Sequence, residues 1–330
     1  MTLPPTLPPH PSILVTRRLP EPVEATLVHE FGATLNPTDR QLTGHELRDA
    51  LVAHDIVLCT LTDRLTAEVV GDARRRARLL ANFGAGTNHI DLTAARQAGL
   101  AVTNTPGVLT DDTADLTMLL ILAVARRVRE GDGELRAGEW TGWRPTHLLG
   151  TRVTGATLGI VGFGRIGQAV ARRAAHGFGM RVLYHSRHPR PASVEAACGA
   201  SYVPSLEDLL GQCDVISLHT PATPETHHLI GEPQLRCMRR TAFLVNTSRG
   251  DVVHEEALVS ALADGTIAGA ALDVYEREPH VPEPLRMLPN VFALPHLGSA
   301  TEASRVAMGE CALENIRAFV RGQPLPNRVA

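Results

Sequence analysis

Leu158-Gly159-Ile160-Val161-Gly162-Phe163-Gly164-Arg165-Ile166-Gly167 decides the reading of this 330-residue chain. An apolar strand, Ala156 to Val161, runs into glycines at 162, 164 and 167, and an alanine-rich helix follows. In that setting each glycine has a task. The first permits a tight turn, the second lets the backbone approach a pyrophosphate, and the third lets helix and strand pack closely. The helix start adds unpaired N–H donors and a positive partial charge. The spacing predicts a bound dinucleotide held at Gly162, Gly164, Arg165, Ile166 and Gly167.

Downstream, apolar runs alternate with helical stretches. Strands are predicted at Arg181 to His185, Val215 to Leu218, Ala242 to Asn246, Ala268 to Asp273 and Val291 to Ala293. Such alternation argues an α/β fold with a doubly wound parallel sheet. Upstream, Ile13 to Thr16, Ile56 to Thr60 and Leu79 to Phe83 read as strands, and His45 to Ala53 as a helix. The punctuation Asn104-Thr105-Pro106-Gly107 marks a boundary, after which Asp112 is expected to cap a helix running to Arg127. A last helix carries Val306, Leu313, Ile316 and Val320 at helical spacing and is expected to pack on the first domain. Residues 1–106 with 299–330 therefore make one expected domain, and 107–298 the dinucleotide-binding one.

Composition narrows the function. A net charge of −3 and 20% charged residues give no field to attract nucleic acid. Arg74, Arg75, Arg76 and Arg78 read as a solvated helix face rather than a phosphate patch. No lysine occurs anywhere, so Walker-type phosphate loops, Schiff-base enzymes and pyridoxal phosphate enzymes are excluded. Five scattered cysteines show no metal-binding pairs and imply a reducing, cytoplasmic setting. Met1 to Pro11, with five prolines, reads as a loose leader and not a signal peptide. The longest apolar run, Leu116 to Ala125, is about half of a membrane span.

At the end of the second strand, an NAD-selective site expects a carboxylate for the ribose hydroxyls. His185-Ser186-Arg187-His188 stands there instead. Ser186 can hydrogen-bond a 2′-phosphate and Arg187, with Arg190, can pair with it, so NADP(H) is favoured and NAD(H) remains possible. A solvated basic turn without selectivity is the alternative.

Ligands of open α/β sheets lie beyond the carboxyl ends of the strands. There stand His219, Thr220 and Pro221; Thr247, Ser248 and Arg249; Glu278; and His296. Arg249 can clamp a substrate carboxylate in bidentate fashion. His296 can give a proton to a carbonyl oxygen or take it back, and Glu278 beside it would favour the imidazolium. Together they suit hydride transfer to or from a small 2-oxo or 2-hydroxy acid. An interdomain ion pair with a packed histidine is the bland alternative.

With these residues in place, the chain resembles the D-isomer-specific 2-hydroxyacid dehydrogenases, and within them the glyoxylate and hydroxypyruvate reductases. The resemblance rests on Asn82-Phe83-Gly84-Ala85-Gly86-Thr87-Asn88, Asn104-Thr105-Pro106-Gly107, the glycine triplet, Asn246-Thr247-Ser248-Arg249-Gly250, Leu272-Asp273-Val274-Tyr275-Glu276-Arg277-Glu278-Pro279 and Pro295-His296-Leu297-Gly298-Ser299. It implies two doubly wound parallel-sheet domains, a Rossmann-type cofactor domain and a flavodoxin-like substrate domain. It places Arg249, Glu278 and His296 on catalytic positions and Asp273 on the nicotinamide carboxamide. Thr113, Thr220, Pro221 and Thr247 fall on cofactor contacts. Backbone donors at Gly84 and Ala85 would take the substrate carboxylate with Arg249 and His296. It also implies a homodimer, in which Trp140 or Trp143 reaches the partner's pocket or is simply buried at the interface. Ser186 departs from the aspartate many relatives carry. The family includes corepressors of the same fold, so a dinucleotide-sensing binding protein is the second reading. A methyltransferase, the third, would have no use for Arg249, Glu278 and His296.

Overall fold

The computed structural model describes residues 11–330 and divides into two compact units. One is the chain up to Leu109 together with Ser299–Ala330, and the other is Thr110–Gly298. The leader expected at the N-terminus falls almost wholly outside the described residues. In chain order the first stretch holds β1 (Ile13–Val15), α1 (Glu21–Phe31), α2 (Gly44–Ala53), β2 (Ile56–Thr60), α3 (Ala67–Val70), β3 (Leu79–Phe83), α4 (Leu92–Gln97) and β4 (Ala101–Thr103). The inserted unit begins with α5 (Thr110–Ala125), α6 (Val128–Ala137), β5 (Thr157–Val161), α7 (Arg165–Arg172), β6 (Arg181–His185), α8 (Ala192–Cys198) and β7 (Ala200–Tyr202). It continues through α9 (Leu206–Gln212), β8 (Val215–Leu218), α10 (Glu232–Cys237), β9 (Phe243–Asn246), α11 (Glu255–Ala263), β10 (Gly269–Leu272), α12 (Glu283–Met287) and β11 (Val291–Ala293). The closing helix α13 (Glu302–Val320) belongs to the first unit.

The first unit has a parallel sheet in the order β1-β2-β3-β4. On the free side of β1 a single parallel bridge joins Leu14 to Thr34, so the chain after α1 takes the outer place of a fifth strand. Apart from Thr60 and Asn82, β2 and β3 are apolar, because helices cover both faces. One face buries Val23 and Leu27 of α1 with Met308, Ala312, Leu313 and Ile316 of α13, and the other buries Leu47 and Leu51 of α2 with Val69 and Val70 of α3. Thr43 starts α2 through a capping box with Glu46. Gly309 leaves room for Val23 where any side chain would overlap it, which brings α1 against α13.

The second unit carries seven parallel strands in the order β11-β10-β9-β8-β5-β6-β7. The sheet grows outward in both directions from β5, and the reversal falls between β5 and β8, where such sheets open a crevice at their carboxyl edge. The Val161↔Leu218 register sets Gly162 beside His219 across that reversal. Both units are therefore doubly wound α/β structures with parallel sheets.

Two local expectations change, and two strands are added. α5 begins at Thr110, with Asp111 and Asp112 inside its first turn, so Asp112 does not cap it. The arginine cluster at 74–78 is not helical. Its side chains are drawn to separate partners, Arg74 to Asp72 and Arg76 to Asp55 at 2.8 Å each, and Arg75 to the Ala98 carbonyl at 2.5 Å. The strands β4 and β7, not expected from the sequence, add to the sheets as three-residue pieces, and Ala200–Tyr202 is too polar to stand out. No helix among the described residues is long and apolar enough to cross a membrane.

Candidate active site

The turn after β5 is shaped by its own neighbours. Gly162 has φ +92°, and a Cβ there would lie 2.6 Å from the His219 carbonyl oxygen. A Cβ on Gly167 would overlap the Gly162 carbonyl. Gly164 differs, because no protein atom lies within 4 Å of the place its Cβ would occupy. The exposed Gly164 and Arg165 and the half-buried Ile166 thus open α7 toward free space. Across the reversal, the buried Thr220 hydroxyl has no hydrogen-bond partner among the described residues, and Pro221 is exposed. Open room over a glycine, an orphaned hydroxyl and a helix start suit a pyrophosphate. His219 hydrogen-bonds Ser217 at 2.8 Å, and burial pushes its pKa down to about 3, so it stays neutral.

Beyond β6, Ser186 donates to the His188 carbonyl at 2.7 Å and Arg187 is exposed. Arg190 donates to the Phe163 carbonyl at 3.1 Å. The nearby carboxylate, Glu195, accepts from the Tyr184 hydroxyl at 2.7 Å. Burial, with Glu195 adding to it, pushes that phenol up to about 12, so Tyr184 remains a donor.

The carboxyl edges of β9, β10 and β11 bring three predicted side chains together. Glu278 Oε2 lies 2.8 Å from His296 Nδ1, while Oε1 accepts from the Tyr275 N–H at 3.0 Å. His296 Nε2 has no partner among the described residues. Burial alone would raise the Glu278 pKa, but the His296 contact, the Tyr275 amide and the Arg249 charge outweigh it and hold the carboxyl below its ordinary value. Arg249 is half-buried, its Nη1 donating to the Ser248 carbonyl at 2.6 Å, and desolvation lowers its pKa against the pull of Glu278 and Asp251. Asn246 shapes the Arg249 loop, donating to the Arg249 carbonyl at 2.9 Å and accepting from the Ser248 amide and hydroxyl at 3.0 and 2.8 Å. At Gly250 a Cβ would overlap the Tyr275 carbonyl and the Glu276 amide, so the Arg249 loop lies directly on the Glu278 loop.

His296 itself sits in the left-handed region at φ +57°, unusual for a side-chain-bearing residue. Its amide donates to the Asp273 carbonyl at 2.9 Å, and the next two amides, Leu297 and Gly298, donate to the Asp273 carboxylate at 2.6 and 2.8 Å. Asp273 is buried, and desolvation raises its pKa despite these donors. Thr113 donates to the Gly298 carbonyl at 3.0 Å, and Thr247 and Thr117 share a hydroxyl bond of 2.9 Å.

The lowered Glu278 pKa has a consequence for stability. A carboxyl held below its unfolded value favours the folded state above that value, and the contribution is lost as pH falls through the lowered one. Glu278→Gln is expected to lose less stability than the wild type on acidification through the carboxylate range. Thermal melts across that range check it, and parallel acid limbs for the two proteins would contradict it.

In the first unit, the loop after β3 departs from expectation at one atom. The Gly84 N–H is taken by the Asn82 carbonyl at 3.0 Å, whereas the N–H groups of Ala85 and Gly86 have no partner among the described residues. The open donors are therefore those of Ala85 and Gly86. Asn82, Asn104 and Asn246 were visible in the sequence only as parts of motifs, because their carbonyl partners emerge only in the folded loops. Trp140 and Trp143 are 52% and 83% exposed, and Leu135 and Leu149 are exposed near them in the sequence. Among the described residues no cluster of histidine, cysteine and carboxylates suits a metal ion.

A phosphate-ready turn at the sheet reversal and an imidazole backed by a carboxylate at the same sheet edge define a nucleotide-dependent α/β oxidoreductase. The comparisons with known proteins narrow the class. The family described as "D-isomer specific 2-hydroxyacid dehydrogenase, NAD binding domain" matches residues 118–298. The glyoxylate reductase of Thermococcus litoralis is 44% identical over 327 residues, covering 97% of this chain and 96% of that protein. That of Korarchaeum cryptofilum is 47% identical over 325 residues, with the same coverage of 97% and 96%. Among solved structures, an NADPH-dependent glyoxylate/hydroxypyruvate reductase from Sinorhizobium meliloti, in complex with NADP and malonate, superposes with a TM-score of 0.84 at 33% identity and covers 97% of each chain. The chain belongs to the D-isomer-specific 2-hydroxyacid dehydrogenase family. It is an oxidoreductase acting on CH–OH groups with a nicotinamide dinucleotide.

Proposed function

We propose that this enzyme reduces small 2-oxo acids of the glyoxylate and hydroxypyruvate type to D-2-hydroxy acids, with NADPH preferred and NADH accepted. The 2.8 Å pair of His296 with Glu278 carries the reading, because it leaves Nε2 to act as acid. When bound, the reduced nicotinamide supplies the hydride. His296 Nε2 gives the proton that the carbonyl oxygen takes up, and Glu278 steadies the imidazolium before transfer. Arg249 binds the carboxylate and polarises the carbonyl. Gly162, Gly164, Arg165, Ile166, Gly167, Thr113, Thr220, Pro221 and Thr247 hold the dinucleotide, and Asp273 orients the carboxamide. Residues 107–298 act as the cofactor domain, and the backbone amides of Ala85 and Gly86 are donors for the substrate carboxylate.

Ser186 and Arg187 favour the 2′-phosphate, since no carboxylate occupies the turn to repel it. The test sets NADPH and NADH side by side against glyoxylate, hydroxypyruvate and pyruvate, with chiral analysis of the product. Failure of all six pairs would overturn the proposal. Ser186→Asp is expected to raise KM for NADPH at least about tenfold through like-charge repulsion, with little change for NADH. An unaltered NADPH preference would remove Ser186 from the selectivity.

The exposed Trp140 and Trp143 support a homodimer built through the second unit, in which one of them completes the partner's site. Sedimentation equilibrium is expected to give twice the chain mass, and a monomer at micromolar concentration would refute it. Five unbridged cysteines, four of them buried, fit a cytoplasmic location, which cell fractionation tests.

A further inference from the structure

Three successive carbonyls in the loop after β3 are held inward. Asn82 Nδ2 donates to the Gly84 and Gly86 carbonyls at 3.0 and 2.9 Å, and Asn104 Nδ2 donates to the Ala85 carbonyl at 2.7 Å. The Thr105 amide adds a second bond to the Gly84 carbonyl at 3.0 Å. Asn82 is 1% exposed, and its Oδ1 faces His89 Nε2 at 3.1 Å. That contact fixes the amide's orientation, since a flip would set an oxygen against two carbonyls.

In a planar trans peptide, a carbonyl and the following N–H point in opposite directions. Locking the Gly84 and Ala85 carbonyls therefore turns the Ala85 and Gly86 N–H groups away from Asn82 and Asn104. Two adjacent, unpaired N–H groups on fixed peptide planes make an anion-binding concavity that needs no charged side chain.

We infer that Asn82 and Asn104 are positioning residues for carboxylate recognition, orienting the two peptide planes whose N–H groups grip the 2-oxo acid. The inference rests on the proposed keto-acid reduction. It adds an origin for substrate binding that lies in two neutral amides, Asn82 buried and Asn104 half-buried, rather than in the groups that touch substrate. Because the carboxylate is bound alike in ground and transition states, disturbing these planes is expected to alter KM more than kcat.

Asn82→Asp is close in shape and turns two attractions into repulsions. It is expected to raise KM for glyoxylate at least about tenfold, the cost of one good hydrogen bond to an ion, while kcat and the Kd for NADPH change less than about twofold. Asn104→Ala is expected to raise KM by a smaller factor, and it carries the same readings if the aspartate variant fails to fold. A merely structural role would instead lower kcat and the NADPH-binding fraction and leave KM unmoved, which overturns the inference. An independent readout titrates oxamate, a 2-oxo acid amide that resists reduction, into 15N-labelled enzyme saturated with NADPH. The Ala85 and Gly86 amide signals are expected to shift, and at higher oxamate concentration in the variants. Glyoxylate turnover with no response at these amides overturns the inference and leaves the enzymatic reading intact. A response that depends on Asn82 in a protein that reduces no 2-oxo acid overturns that reading and leaves the amide cradle standing. Silence in both overturns both.

Discussion

His296→Asn is expected to lower kcat/KM for keto-acid reduction by about 10²–10⁴-fold, the range lost with a general acid, while the protein still folds with a cooperative melt. The choice of asparagine matters. His296 occupies the left-handed region at φ +57°, and asparagine enters that region more readily than most side chains. Alanine or glutamine would add backbone strain to the chemical loss and blur the two. The asparagine amide cannot supply a proton to the carbonyl oxygen, so any remaining rate reports binding and hydride transfer alone. Steady-state kinetics and thermal melts on one preparation check both halves. Retention of wild-type turnover with a normal melt would show that the imidazole is not the acid.

Gly250→Ala is expected to cost about 3 kcal/mol of stability or more, at the upper end of overpacking effects, and to remove activity with it. The added methyl would overlap the carbonyl of Tyr275 and the amide of Glu276. Those are backbone atoms, so no rotamer change relieves the clash. The loop from Asn246 to Gly250 and the loop from Asp273 to Glu278 would have to separate. Arg249 rides on the first and Glu278 on the second, which couples site geometry to stability at this position. Denaturant unfolding with parallel assays checks it, and a loss below about 1 kcal/mol would mean the two loops yield easily.

How much of this was legible in the sequence follows from the physics of each element. Ile56–Thr60, Leu79–Phe83, Arg181–His185, Val215–Leu218 and Val291–Ala293 occur as strands residue for residue as read. All but Val291–Ala293, an edge strand, are interior strands covered on both faces, and these appear as largely apolar runs. β4 and β7, three residues each, went unread, and Ala200–Tyr202 has a single apolar-to-polar alternation that does not stand out from its surroundings. The arginines at 74–78 were misread as a helix because local spacing carries no trace of Asp55 or of the Ala98 carbonyl, which claim two of them. At the site, residue types revealed the chemistry that Arg249, Glu278 and His296 can perform. The approach of Glu278 to His296, 18 positions apart, was only conditional until the loops were placed. The left-handed turn at His296, the spent N–H of Gly84 and the carbonyl-holding asparagines all depend on neighbours distant in sequence or on backbone torsions, which composition and spacing do not encode.

The bond from Thr113 to the Gly298 carbonyl spans 185 positions and joins the two ends of the inserted unit. The segment from Thr110 to Gly298 is thereby a cassette whose beginning and end are stitched side by side. A replacement with similarly spaced termini can be spliced between Leu109 and Ser299 without lengthening either junction. Exchanging nucleotide modules by transplantation then becomes a question of two adjacent seams, not of redesigning the host.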